Sequence, residues 1–274
     1  MGNVCVITGG GSGMGLEAAK IMGQNGKIIV LSGRTESKLE KAINELKELG
    51  ITAYAKACDN SKRESVQELV KFASGLGEIK NVINSAGVSP AMAEAETVLR
   101  INALGTVYIN QEFSKVMNSG SVIVDVASNS AYNLPQEMIS KETYALADTD
   151  EELFVQKLLE KSSISPESYQ KALWAYMMSK NFVIWYAAKS AFEYGKKGVR
   201  VCSISPGLIA TPMGDLEKEN GARLIPATAE ERMGKPEELG FAIAMVADER
   251  NGYLAAADVL CDGGSVRGMQ EFKI

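Results

Sequence analysis

Tyr176 and Lys180, in the run Tyr176-Met177-Met178-Ser179-Lys180, stand four residues apart in a helix-patterned stretch. At that spacing a phenol and an ammonium share one helix face. A tyrosine titrates at about 10 in isolation, and an adjacent ammonium favours its phenolate. Such a phenol can exchange a proton with an alcohol or carbonyl oxygen while hydride moves to or from a nicotinamide. Of the nine tyrosines, Tyr176 alone has a lysine four residues on. The chain contains no histidine, which excludes imidazole bases, imidazole metal ligands and a Ser-His-Asp triad. Proton transfer falls to another residue type, and no metal site is expected.

A second cluster supplies the partner chemistry. The β-branched run Val4 to Ile7 leads through Thr8 into Gly9-Gly10-Gly11-Ser12-Gly13-Met14-Gly15, after which Leu16, Ala18, Ala19, Ile21 and Met22 recur at helical spacing. Strand, glycine turn and helix start together place a pyrophosphate on backbone N–H groups at a helix N-terminus. Glycines are required because a Cβ would block the phosphates and because the turn needs positive φ. The next strand ends Ser32-Gly33-Arg34. An acidic residue there would grip a ribose 2′-OH; Gly33 leaves that space open and Arg34 offers a guanidinium to a 2′-phosphate. The pattern predicts NADP(H), the alternative for Arg34 being a solvated surface side chain. Asp59 is placed to accept from the adenine amino group, and Asn84, Ala86 and Gly87 to line the cleft floor.

These motifs need a scaffold that aligns strand ends. Strand-like and helix-like segments alternate along the 274 residues, which predicts one α/β domain over 1–274, a doubly wound parallel sheet of Rossmann type covered on both faces. Expected strands are 4–7, 27–32, 51–58, 81–84, 121–126, 199–204 and 257–261. Expected helices begin near Leu16, Glu36, Lys62, Val98, Ser165 and Pro236. The alternation breaks between about 131 and 172, where an amphipathic helix near 151–161 is inserted before the long helix that carries Tyr176. The segment from Thr211 to Met233 reads as mobile.

With 46% hydrophobic and 23% charged residues there is ample material for a core. A net charge of −5 and a pI near 5.1 argue against nucleic acid or an anionic membrane as partner. No apolar run reaches bilayer length, no signal peptide precedes the first strand, and Val6 excludes a myristoylation signal at Gly2. Cys5, Cys58, Cys202 and Cys261 lie far apart, as suits reduced thiols of a cytoplasmic protein.

At this point the chain resembles the short-chain dehydrogenase/reductase family. Thr8-Gly9-x-x-x-Gly13-x-Gly15 is similar to its cofactor loop, and Asn84-Ser85-Ala86-Gly87 to its Asn-Asn-Ala-Gly segment with one substitution. Tyr176 and Lys180 match the catalytic pair, Ser128 the serine that orients substrate, and Asn102 the helix asparagine that supports a water relay. Ser205-Pro206-Gly207-Leu208-Ile209-Ala210-Thr211-Pro212 resembles the Pro-Gly loop. The resemblance implies that the backbone of Ile209 meets the nicotinamide carboxamide, that Thr211 approaches the cofactor, and that homodimers or homotetramers pack through the long helices. Two departures stand out: the interval from Ser128 to Tyr176 is much longer than usual, leaving Ser130 as a rival serine, and Cys202 replaces an asparagine before the Pro-Gly loop.

The insertion, the short 88–101 stretch and the segments at Met233–Glu237 and Asp262–Gly264 resemble bacterial hydroxysteroid dehydrogenases and carbonyl reductases. That implies a steroid or bile-acid hydroxyl as substrate. Leu134, Met138, Ile139, Leu153, Phe154, Leu158 and Leu159 could cover an apolar ligand or a partner, or simply pack on the chain's own domain. Met213, Met233 and the tail after Gly264 are placed to line or close the pocket. The rival readings are a 3-oxoacyl reductase or other carbonyl reductase acting on apolar ketones and, in another class, a dinucleotide-sensing protein without turnover.

Overall fold

A computed structural model describes residues 2–272. Its centre is a seven-stranded, all-parallel sheet of order β3-β2-β1-β4-β5-β6-β7, made of β1 (Gly2–Thr8), β2 (Ile28–Gly33), β3 (Ala53–Ala57), β4 (Gly77–Asn84), β5 (Val122–Val126), β6 (Arg200–Pro206) and β7 (Asp258–Cys261). Helices α1 (Gly13–Gln24), α2 (Glu36–Glu48) and α10 (Pro236–Val246) bury one face. The other carries α3 (Arg63–Ser74), the composite helix α4 (Ala95–Leu99) and α5 (Gly105–Ser114), and α8 (Ser168–Tyr194). Strands covered on both sides are apolar throughout, which is why Val4 to Ile7 and Val122 to Val124 are fully or almost fully buried.

Strand order reverses between β1 and β4, so a crevice opens beyond their C-terminal ends. Register brings Ser32, Thr8, Asn84, Asp125 and Ser203 side by side in one polar row at that edge.

Element positions follow the expectations with informative differences. β4 starts at Gly77, four residues earlier than its apolar run, because its polar first half pairs with Gly2 to Val4. The helix around Asn102 is interrupted by a π-helical turn, Arg100–Leu104, between α4 and α5. The segment read as mobile opens with α9 (Pro212–Gly221): Thr211 accepts the Gly214 N–H at 3.0 Å, and Pro212 occupies the first helical position.

The insertion holds α6 (Lys141–Ala145) and α7 (Glu151–Ser162). Asp150 caps α7 by accepting the Leu153 N–H, with Glu151 and Glu152 in its first turn. Its apolar side packs on α8: Phe154 and Tyr144, both fully buried, lie 4.8 and 5.3 Å from the Phe182 ring. The Tyr108 hydroxyl donates to Glu151, Arg63 bridges Glu112 and Glu151, and Arg100 grips Glu152. Of the residues expected to cover a ligand, Leu134, Phe154 and Leu158 are core, and Met138, Ile139 and Leu159 pack against that core. The alternative of packing on its own domain describes the body of this segment.

Candidate active site

The glycine turn between β1 and α1 forms one wall of a cleft of about 290 Å³. Gly9 has φ +67°, and a Cβ there would stand 2.8 Å from the Ala86 nitrogen. A Cβ on Gly15 would meet Ser85 Oγ at 2.6 Å. Ser12 precedes α1 without capping it, and the first turn has no acidic side chain, so its N–H groups are left for an anion. Gly11, Ser12, Gly13, Met14, Gly33, Arg34, Asp59, Ala86, Gly87, Thr211 and Met213 line the same cleft. A phosphate cradle that side chains would fill, beside an open helix N-terminus, fits a dinucleotide.

Asp59 does so with one oxygen already accepting from the Ser61 N–H and hydroxyl. Lys38, not singled out from the sequence, joins Arg34 there, its Cβ only 3.4 Å from where a Gly11 side chain would begin. Arg34 precedes α2 and Lys38 lies in its first turn, so a second basic residue at the start of the helix is the signal for it. Thr8, Ser32 and Asn84, expected to touch the cofactor, instead lie beneath the cleft. Thr8 and Ser32 are fully buried and Asn84 nearly so. The Thr8 hydroxyl donates to Asn84 Oδ1 at 2.9 Å and accepts the Ala86 N–H at 3.1 Å, tying the glycine turn to the end of β4.

Beyond the turn the cleft continues into a pocket of about 540 Å³, with Ser128, Ser130, Tyr176, Lys180, Pro206, Gly207 and Ile209 in its walls and Met14, Thr211 and Met213 shared by both. Tyr176 and Lys180 project from α8 toward the end of β5. The Lys180 ammonium donates to the Val126 carbonyl at 2.8 Å and lies 5.8 Å from the Tyr176 ring centre. Burial pulls it down to about 8, opposed by the charge of Asp125. Burial also raises the Tyr176 phenol, while a hydrogen bond with Ser128 lowers it and the charge of Glu217 raises it. Ser128, at the N-terminus of a short 3-10 turn, also accepts the Ser130 N–H at 3.2 Å. Ser128 is thus the serine beside the phenol; the Ser130 hydroxyl is buried in the pocket wall with no partner among the described residues.

Asn102 sits in the π-helical turn, a local widening frequent at functional sites. Its amide pairs with both the N–H (2.9 Å) and the C=O (3.0 Å) of Val88, as a neighbouring strand would. Its own carbonyl accepts the Thr106 hydroxyl at 2.8 Å. A Cβ on Gly87 would come within 3.1 Å of Asn102 Oδ1 and 3.5 Å of the Lys180 ammonium. Glycine therefore lets this loop lie against both.

Under this floor, Asp125 is completely buried. Its oxygens accept from Asn84 Nδ2 (3.0 Å) and Asn110 Nδ2 (2.8 Å). Burial raises its carboxyl to about 6, against the pull of those two amides and of Lys180. A charged residue within an apolar strand gave no sequence signal of this role.

The far side of the pocket is formed by α9 and by the two ends of the insertion. Asn133, Tyr169 and Gln170 line it, whereas Leu134, Leu153, Phe154, Leu158 and Leu159 do not. Leu173, Met177, Leu208, Met213 and Leu224 make the surface mainly apolar. Glu217 of α9 accepts the Ala91 N–H at 2.8 Å and the Tyr169 hydroxyl at 2.9 Å. Met233, expected at the pocket, is absent from its walls. The Cys202 thiol, where the family has asparagine, is buried and donates to the Leu254 carbonyl at 2.9 Å. No helix among the described residues is long and apolar enough to cross a membrane.

Comparisons with known proteins agree with this architecture. The family model described as "short chain dehydrogenase" matches residues 3–144, and one described as "Enoyl-(Acyl carrier protein) reductase" matches residues 155–266. The short-chain dehydrogenase/reductase bsc3 of Alternaria brassicicola is 28% identical over 270 residues, covering 95% of this chain and 94% of the relative. The 7alpha-hydroxysteroid dehydrogenase of Escherichia coli K12 is 24% identical over 277 residues, covering 97% and 95%. Among solved structures, a short chain dehydrogenase of Burkholderia cenocepacia J2315 in complex with NADP superposes with a TM-score of 0.76 at 19% identity, covering 97% of this chain and 98% of that one. With a family match over more than half its length, and the parallel sheet and glycine-turn crevice in place, the chain belongs to the short-chain dehydrogenase/reductase family of oxidoreductases, which use nicotinamide dinucleotides.

Proposed function

We propose that this protein interconverts a secondary alcohol and a ketone with NADP(H), acting on a hydroxysteroid-like substrate. The observation that carries the reading is the convergence of Ser128, Tyr176 and Lys180 at the point where the glycine-turn cleft opens into an apolar pocket. A dinucleotide held in the cleft supplies hydride transfer. Backbone N–H groups of the glycine turn hold its phosphates, and Arg34 with Lys38 holds a 2′-phosphate. Pro206, Gly207, Ile209 and Thr211 would border it where the cleft meets the pocket.

The remaining chemistry belongs to the chain. Ser128 orients the substrate oxygen through its hydroxyl. Tyr176 donates its phenolic proton to that oxygen in reduction and accepts one as phenolate in oxidation. Lys180, anchored by the Val126 carbonyl, keeps a positive charge beside the phenol and favours its ionised form. Asn102 braces the Val88 loop against Lys180 and so fixes the floor on which the proton relay runs. Ser130 and Met213 face the substrate side.

The pocket falls within the roughly 300–1,000 Å³ of small-molecule sites and is mostly apolar, as a steroid nucleus requires. The relationship to a 7alpha-hydroxysteroid dehydrogenase supports that class. The expected homodimer or homotetramer through the long helices belongs to the same reading; α6 and α7 cover the Phe182 side of α8, and Phe192 of that helix stands exposed.

Initial rates with NADPH and NADH on a panel of 3-, 7-, 12-, 17- and 20-oxo steroids test the reading. Turnover of one position with NADPH is the expected result. Reduction of acetoacetyl thioesters without steroid turnover would establish a 3-oxoacyl reductase, and dinucleotide binding without any turnover would establish a sensor.

A further inference from the structure

One carboxylate bridges the pocket mouth. Glu217 stands on α9, Ala91 on the loop after β4 and Tyr169 in the first turn of α8, so three walls separated by 48 and 126 residues of chain meet at a single side chain. Both carboxylate oxygens accept a hydrogen bond, which fixes where the charge sits. Glu219 adds a second carboxylate to the same wall. Among the described residues the cation lining the pocket is Lys180, and its ammonium is committed to the Val126 carbonyl at the opposite, buried end. A ligand whose oxygen reaches Tyr176 therefore presents its distal end to Glu217 and Glu219, the charged side chains that line that wall among the described residues. An anionic group brought there is repelled by those carboxylates, whereas a neutral ester, amide or hydroxyl is not.

We infer that Glu217 is a specificity-determining residue: its carboxylate, fixed across the mouth by Ala91 and Tyr169, excludes substrates bearing an anionic group and admits their neutral counterparts. This rests on the reading of the pocket as the substrate site of an alcohol–ketone oxidoreductase. It narrows the substrate class to neutral ketones and alcohols, so a steroid with an uncharged side chain is favoured over its carboxylic acid.

Glu217→Gln separates charge from architecture. The glutamine carbonyl can still accept from Ala91 and its amide can still donate to the Tyr169 oxygen, while the charge is gone. The probes are an oxo-steroid carboxylic acid and its methyl ester, with dissociation constants for the NADP-loaded protein from calorimetry and kcat/KM for reduction. The native protein is expected to prefer the ester by about tenfold or more, and Glu217→Gln to bring the ratio to within about twofold by improving the acid. A strut without electrostatic effect would leave the ratio unchanged, and that result overturns the inference.

Two further readouts keep the test sharp. Raising salt to about 1 M should shrink the native protein's preference, because the mouth is open to solvent and its charges are screened. This measurement needs no variant, and an ester preference indifferent to salt counts against the charge. Among the described residues the titratable groups around the phenol are Lys180 one helical turn on, Asp125 of β5 behind it, and Glu217 and Glu219 across the pocket. Since Glu217 opposes the phenolate, Glu217→Gln should move the acid limb of alcohol oxidation to lower pH, which a purely structural role would not do. Charge-dependent binding without turnover would refute the alcohol–ketone reading alone. Turnover with an unaltered acid-to-ester ratio would refute the Glu217 assignment alone, and failure of both ligands to bind would refute both.

Discussion

The two walls of the substrate pocket are built in opposite ways. The wall that carries Ser128, Tyr176 and Lys180 is the end of β5 and the middle of a 27-residue helix, backed by buried Asp125, Asn84, Asn110 and Thr8 and by the aromatic cluster beneath the insertion. The wall opposite is α9, a short helix with exposed Leu216, capped by Thr211 and tied across the mouth by Glu217. Proton transfer demands that phenol, ammonium and substrate oxygen be held to a fraction of an ångström, so its groups sit where core packing leaves no alternative position. Selection needs a group that faces the far end of the ligand, and α9 supplies one through Glu217, which reaches Ala91 and Tyr169 across the mouth. Chemistry is thus placed on the wall built from the core, and selection on the wall built from a surface helix.

The largest effect that would break this comparison comes from Tyr176→Phe. Removing the phenolic oxygen is expected to lower kcat by about 10²–10⁴-fold with NADPH binding unchanged, read from steady-state rates and fluorescence titration. A near-native rate would move the chemistry off this wall. Phe154→Ala tests whether the insertion is part of the rigid wall: the cavity should cost roughly 3–5 kcal/mol in denaturant unfolding. A loss below about 1 kcal/mol would mean that α7 is an ornament on α8 rather than its support.

The double variant Arg34→Gln, Lys38→Gln sharpens the cofactor side. Charge-assisted hydrogen bonds to a phosphate contribute about 1.5–3 kcal/mol, so KM for NADPH should rise by roughly ten- to a hundredfold with KM for NADH unmoved. Equal effects on both would mean that these cations do not face a 2′-phosphate.

The smallest expected effect concerns Asp125→Asn. Lys180 loses its charge as pH rises through about 8, and with it the cation that favours phenolate, so activity should decline on that side. The Asp125 anion holds the lysine up, so the asparagine should move this limb to lower pH by about half a unit to one unit in a kcat–pH profile. No movement would show that the polar row under β5 fixes geometry without tuning charge.

Much of the site was legible because its signals are local. The glycine turn must follow a strand and open a helix within a dozen residues, and Tyr176 and Lys180 face together because they share a helix. Arg34 and Lys38 are equally local, four positions apart at the start of α2. Other features depend on contacts that no spacing announces. Glu217 meets Ala91 and Tyr169 because α9 folds back over the crevice, and nothing near Glu217 in the chain distinguishes it from the solvated acids beside it. Asp125 stands as one polar letter in a strand, and only the adjacent strands supply the amides that hold it. Thr8, Ser32 and Asn84 end their strands as cofactor residues would, yet side-chain alternation turns them under the floor, one residue from the cleft.

By itself the sequence determined the order of strands and helices, the anion-binding turn, and the pairing of phenol with ammonium, since backbone propensity, apolar periodicity and glycine's freedom act over a few residues. Tertiary structure alone decided which way the insertion packs, which serine reaches the phenol, what lies beneath the lysine and which acid bridges the mouth. Each of those depends on the distance between segments far apart in the chain, and that distance is set by how the whole core packs.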